Sequence, residues 1–127
     1  MHGRMTSGTP ESNTTDLLAT TPAEHVDELL GGRRATVMVG GHTHIQMLRQ
    51  HRGMLIVNPG SVGLAFREHA AGKVPVLLPH AEYAVVEAVD GDISVSLRRV
   101  SLDKQELREA AGAVAHPLKA WLTQMYA

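Results

Sequence analysis

Cysteine is absent from this 127-residue chain. That excludes disulfides and thiolate metal sites and suits a cytoplasmic setting. Aromatic residues are nearly as scarce, at 3% of the sequence, so aliphatic side chains must fill the core. Basic charge is not in excess either: the formal net charge is -1. A surface without a basic surplus does not neutralise nucleic-acid phosphates. No apolar stretch approaches the ~20 residues a membrane-spanning helix needs. The polar opening from Met1 to Pro10 carries no signal-peptide pattern. The length suits one core, so residues 1–127 read as a single domain.

Histidine is what the chain has in abundance, with eight residues. Two of them stand in Gly40-Gly41-His42-Thr43-His44, directly after the β-branched run Thr36-Val37-Met38-Val39. In an extended segment, residues i and i+2 project to one side. A strand running into His42 and His44 would therefore offer two imidazoles to one point at its C-terminal end, where ligands gather in open α/β sheets. Neutral imidazole is the commonest metal-binding side chain. A polar loop with two solvated histidines is the plainer alternative. A second apolar strand, Gly53 to Val57, leads into Asn58-Pro59-Gly60-Ser61-Val62-Gly63. The same Asn-Pro-Gly run also makes an ordinary turn.

The pairing of Gly-His-Thr-His with Asn-Pro-Gly-Ser resembles the C-terminal half of calcineurin-like metallophosphoesterases, in their small bacterial and archaeal phosphodiesterase branch. The opening His2-Gly3 resembles a further ligand segment of that family. From His2 to about Arg99 the order of elements fits. The resemblance implies an α/β fold, α+β by content: part of a four-layer αββα sandwich with β-hairpins and a C-terminal helix. It implies metal ligation by His2, His42 and His44, with His2 and His42 on one ion and His44 on the other. Asn58 and Ser61 would support the loop near the phosphate. Two divalent ions, drawn from Mn, Fe, Ni or Zn, would act on a small-molecule phosphate ester.

The family's first half should also carry Asp-x-His, Gly-Asp-x-x-Asp and Gly-Asn-His segments, and none occurs here. The sole Gly-Asp, Gly91-Asp92, falls in a hairpin turn. The bridging carboxylate, the asparagine ligand and the proton-donating histidine thus have no counterpart. The expectation is a truncated enzyme, inactive alone because its centre is incomplete. Loss of half a sandwich would also leave apolar strand faces open, which invites homodimerisation. Two alternatives remain: a mononuclear metal-binding module, and a dimeric interaction remnant without catalysis.

Local signals place the remaining elements. Residues 1–20 read as a polar loop rich in Ser, Thr, Gly and Asn. Thr21 as N-cap, Pro22 at N1 and Glu24 at N3 form a capping box. The helix that follows buries Val26, Leu29 and Leu30, turns His25 outward, and stops at Gly31-Gly32. Ile45 to Arg49 pairs with Met54 to Val57 across His51-Arg52-Gly53, which makes His51 a turn residue. Leu64 to Pro79 is irregular. Ala81 to Val89 is nearly all apolar on both faces, as in a strand buried in a sandwich. Asp90-Gly91 signals a hairpin, and Ile93, Val95 and Leu97 then alternate with polar residues. Residues 101–127 read as a helical tail started by Asp103 and Glu106, broken at Pro117, with Trp121 as a packing anchor.

Overall fold

The computed structural model describes residues 3–6, 8–12 and 14–126. Its first sheet has four strands: β1 (Gly3–Thr6), β2 (Val37–Gly40), β3 (Met47–His51) and β4 (Met54–Asn58), in the spatial order β1-β2-β4-β3. β1, β2 and β4 run parallel, while β3 and β4 form an antiparallel hairpin at the edge. Helix α1 (Ala23–Leu30) connects β1 to β2. A second, two-stranded sheet is the hairpin of β5 (His80–Val89) and β6 (Asp92–Ser101). Helices α2 (Lys104–Ala113) and α3 (Lys119–Met125) follow. This mixed α and β architecture agrees with the α+β content expected from the sequence.

The core forms where α1 lies on the first sheet. Met54 and Ile56 are two apart on β4 and so share one face. They cluster with Met38 of β2, Met47 of β3, Val26 and Leu30 of α1, and Leu17 of the preceding loop. Methionine suits this aromatic-poor interior, because its flexible thioether fills irregular gaps. At roughly 1.5–3 kcal/mol for each large apolar side chain removed from water, this cluster dominates the stability of the sheet. The same face of β3 also grips α1 and the loop before it through polar groups. Arg49 donates to the carbonyls of Leu18 and Thr21 at 3.1 and 2.6 Å. His51 meets Asp27 of α1, Nε2 to Oδ1, at 2.8 Å.

Several local expectations are corrected. His51 is not a turn residue: it ends β3, is buried and faces Asp27. The turn is Arg52-Gly53, both with positive φ (46° and 80°), as a two-residue hairpin of the primed type requires. The capping box at Thr21 does not form. Pro22 occupies the cap position, and the Thr21 hydroxyl instead accepts the Leu18 amide at 2.9 Å. Gly31 ends the helix in the left-handed region (φ 56°) as expected. Within the stretch read as polar loop, Gly3–Thr6 is a strand. Its backbone pairs with β2, which does not require apolar alternation.

The largest departure is β5. Tyr83, Val85, Val86 and Val89 are exposed, not buried in a sandwich. A two-stranded ribbon without a covering layer leaves both faces open, whatever its residues. The Asp90-Gly91 turn is formed, with φ of 50° and 91°. Asp103 caps α2, its Oδ1 accepting the Gln105 and Glu106 amides at 2.8 and 3.0 Å. Trp121 is only partly buried, and Tyr126 anchors the tail. Its side chain is buried, and its hydroxyl donates to the Gly63 carbonyl at 3.3 Å. Burial raises the Tyr126 pKa above its ordinary value. No helix among the described residues is long and apolar enough to cross a membrane.

Candidate metal centre

The two loops expected to carry the chemistry leave neighbouring parallel strands at the same end of the sheet. Val39 of β2 is in register with Val57 of β4, so Gly41 to His44 and Asn58 to Gly63 emerge side by side. The histidines do not continue the strand, however. β2 ends at Gly40, and the loop turns back, with the His44 amide donating to the Gly41 carbonyl at 3.3 Å. His44 itself lies in the left-handed region at φ 57°. The alternation argument that aims both imidazoles to one side of a strand therefore fails, because the backbone between them is not extended.

Hydrogen bonds fix this loop. Buried Asn58 donates from Nδ2 to the Thr43 hydroxyl at 2.9 Å, and its Oδ1 accepts the Gly60 amide at 2.9 Å. The Ser61 hydroxyl accepts the Leu64 amide at 3.0 Å. Asn58 and Ser61 thus spend their polar atoms on bracing the two loops. The Leu64 carbonyl faces His44 Nδ1 at 2.9 Å, a contact that calls for N–H on Nδ1 and leaves the Nε2 lone pair available. Metal-binding histidines are oriented in this manner, with the second nitrogen bonded to a carbonyl. The Phe66 ring lies 4.8 Å from the His44 ring, and the Phe66 amide donates to the His44 carbonyl at 3.1 Å.

His42 has different company. Its Nε2 is 3.6 Å from Oδ1 of Asp16, and Nε2 of His69 is 3.6 Å from Oδ2 of the same carboxylate. Sequence reading singled out neither Asp16 nor His69 as a site residue. They lie far from His42 in the chain, in segments without periodicity, so no spacing signal could have joined them. Asp16 is held by its neighbours: Leu17 is in the core, and Leu18 is bonded to Thr21 and Arg49. His2 lies outside the described residues.

Nitrogen and carboxylate donors at His42, His44, His69 and Asp16 fit a divalent transition metal in chemistry. In their present placement, no three such groups among the described residues surround a single point closely enough to hold one.

A family model for the calcineurin-like phosphoesterase superfamily domain matches residues 2–77. The chain belongs to the calcineurin-like phosphoesterase superfamily. Members of this superfamily generally use divalent metals. Among solved structures, the chain is similar to the hypothetical protein PH1004 from Pyrococcus horikoshii OT3. That match has a TM-score of 0.64 at 14% identity and covers 96% of this chain and 44% of that one. This phosphoesterase-superfamily chain thus spans less than half the length of that structure while sharing its fold. A lower similarity is to Vacuolar Protein Sorting 29 from Cryptosporidium parvum, 25% identical over 61% of this chain and 42% of that one, with a TM-score of 0.30. No curated protein matches the chain.

Proposed function

We propose that this chain carries the late histidine ligands of a dinuclear, metal-dependent phosphoesterase centre, and that it is inactive without the missing carboxylate-bearing motifs. The observation that carries the reading is the state of His44: Nδ1 is engaged by the Leu64 carbonyl at 2.9 Å, so Nε2 is free to ligate. His42 serves a neighbouring ion and His2 joins it there. Asn58 and Ser61 hold the loops that carry these ligands. The chemistry such a pair of divalent ions supplies is activation of water and neutralisation of phosphoryl charge. The residues present bind and orient; Mn, Fe, Ni and Zn all suit mixed nitrogen and oxygen donors. The substrate is a small phosphate ester and the setting cytoplasmic.

The test is metal content after Mn²⁺ saturation and desalting, together with hydrolysis of bis(p-nitrophenyl) phosphate. Retained Mn²⁺ that is lost in His42→Ala and His44→Ala, without turnover by the chain alone, is the expected result. Wild-type protein that retains no metal would overturn the reading. Robust turnover by the chain alone would overturn its incompleteness.

One observation favours a second reading, the dimeric remnant. Val85, Val86, Val89 and Val100 on the β5–β6 hairpin are exposed, and a homodimer would cover them. Sedimentation at micromolar concentration distinguishes a monomer from that dimer.

A further inference from the structure

An apolar cleft of about 510 Å³ lies between the 64–75 segment and α3, beside His44. We propose that this cleft holds the aromatic group of an aryl phosphate ester. The inference rests on the phosphoesterase reading of His44 and names the substrate class of that site.

The lining has the chemistry of such a ligand. Phe66, Val74 and Pro75 come from the first segment and Leu118 and Trp121 from the tail, while Lys73 is the single charged residue of the lining among the described residues. Sites for small organic ligands occupy about 300–1,000 Å³ and are mostly apolar, with a few polar groups that fix orientation. An ammonium group set among apolar side chains suits a molecule that is aromatic at one end and a phosphate at the other. The Trp121 indole N–H is buried and finds no acceptor among the described residues. Buried donors are normally paired, so this one is open to an oxygen of the bound ester. The hollow lined by His42, Thr43 and Asn58 offers no such space: at about 10 Å³ it has room for one water and no organic group.

The cleft and His44 also share structure. Phe66 lines the cleft, and its ring lies 4.8 Å from the His44 ring. Leu64, also in the lining, presents its carbonyl to His44 Nδ1 at 2.9 Å. An aromatic group lodged against Phe66 therefore sits beside the imidazole assigned to the ion. Hydrogen bonds hold both walls without a ligand. The Arg67 amide donates to the Val76 carbonyl and the Leu78 amide to the Ala65 carbonyl, each at 2.9 Å. The Tyr126 hydroxyl, donating to the Gly63 carbonyl, fastens the tail to the start of the first wall.

Trp121 is the sole tryptophan of the chain, so its indole N–H gives a single NMR signal that reports on the cleft. The experiment follows that signal in the metal-free full chain during titration with phenyl phosphate, phenol and β-glycerophosphate. Phenyl phosphate and phenol should move it saturably. β-Glycerophosphate should bind at least about tenfold more weakly than phenyl phosphate, the scale of discrimination an apolar pocket provides. Val74→Glu and Leu118→Glu alter residues that are 67% and 50% exposed. Both variants should therefore melt like wild type, yet bind phenyl phosphate about tenfold more weakly. Equal binding of the two phosphate esters, or wild-type binding by both variants, would overturn the proposal. So would a signal that no probe moves, and Mn²⁺ retention that depends on His42 and His44 would then leave the phosphoesterase reading standing. Selective aryl binding by a chain that retains no Mn²⁺ would instead remove that reading and leave the cleft as an aryl site.

Discussion

The side-chain amide of Asn58 donates to the hydroxyl of Thr43 at 2.9 Å, with both residues buried. This bond ties the Asn-Pro-Gly-Ser loop to the middle of the Gly-His-Thr-His loop. Asn58→Ala leaves the buried Thr43 hydroxyl and the Gly60 amide without their partners, which costs about 1–3 kcal/mol. Chemical denaturation should show that loss. Mn²⁺ retention should fall in parallel, because the loop carrying His42 and His44 loses its brace. An unchanged denaturation midpoint would sink this account.

Gly60 of that loop stands against the Glu82 side chain of β5. Its φ is +83°, and a Cβ built there would lie 2.6 Å from the Glu82 Cβ. Gly60→Ala therefore meets both a strained backbone and a collision with a buried side chain. A destabilisation of about 2 kcal/mol or more is expected, from mechanisms that each cost about 1–3 kcal/mol. Gly53→Ala provides the comparison, since its φ of +80° is similar and nothing stands within 4 Å of its added Cβ. Equal losses for the two would remove the collision from the explanation.

Glu82 is itself a vulnerable group. It is buried with one carboxylate oxygen, Oε1, 3.0 Å from His80 Nε2 and 3.2 Å from Arg99 Nε. Arg99→Ala withdraws the permanently charged partner from a buried acid. Because Arg99 is largely exposed, the loss should sit at the modest end, about 1–2 kcal/mol. Glu82→Gln in the same background should recover stability, since it removes the stranded charge. Failure of that second change to recover anything would argue against the electrostatic cause.

Asp27 links α1 to the end of β3. The Arg52 guanidinium first, and the His51 imidazole second, hold its carboxyl down to about 2, from an ordinary 3.8. A depressed folded-state pKa contributes stability above the unfolded value and loses it as pH falls through the folded one. The contribution should thus be complete above about pH 4 and fade toward about pH 2. Urea midpoints across that window should drop more for wild type than for Asp27→Asn. Parallel curves for the two proteins would contradict the linkage.

The sequence made much of this arrangement legible wherever the determinant is local. Asp90-Gly91 and Asp103 announce a turn and a cap through their own backbone chemistry, and both form. The strand before the histidines follows from its β-branched run. What stayed hidden depends on partners distant in the chain. His51 looks like a turn residue until Asp27 of α1 is seen beside it. Asp16 has no motif and reaches His42 only through folding. β5 misleads in the opposite sense: its apolar run specifies a strand, but burial depends on what lies over it. The two imidazoles are brought to the same end of the sheet by β2, yet their aim is set by a left-handed backbone at His44 that alternation does not anticipate.

The β5–β6 hairpin also bears on the order in which the chain acquires structure. Its ladder runs from Val89↔Asp92 to His80↔Ser101 and closes through a two-residue turn, so each pair zips onto the one before it. Hairpins of this kind form in about 1–10 μs. The pairing of Gly3 with Val37, by contrast, must close a loop containing all of α1, and such non-local contacts slow folding. The ribbon should therefore be an early, autonomous element. The loops that present His42 and His44 wait for the parallel strands to assemble, which makes the placing of these two imidazoles a late event in folding.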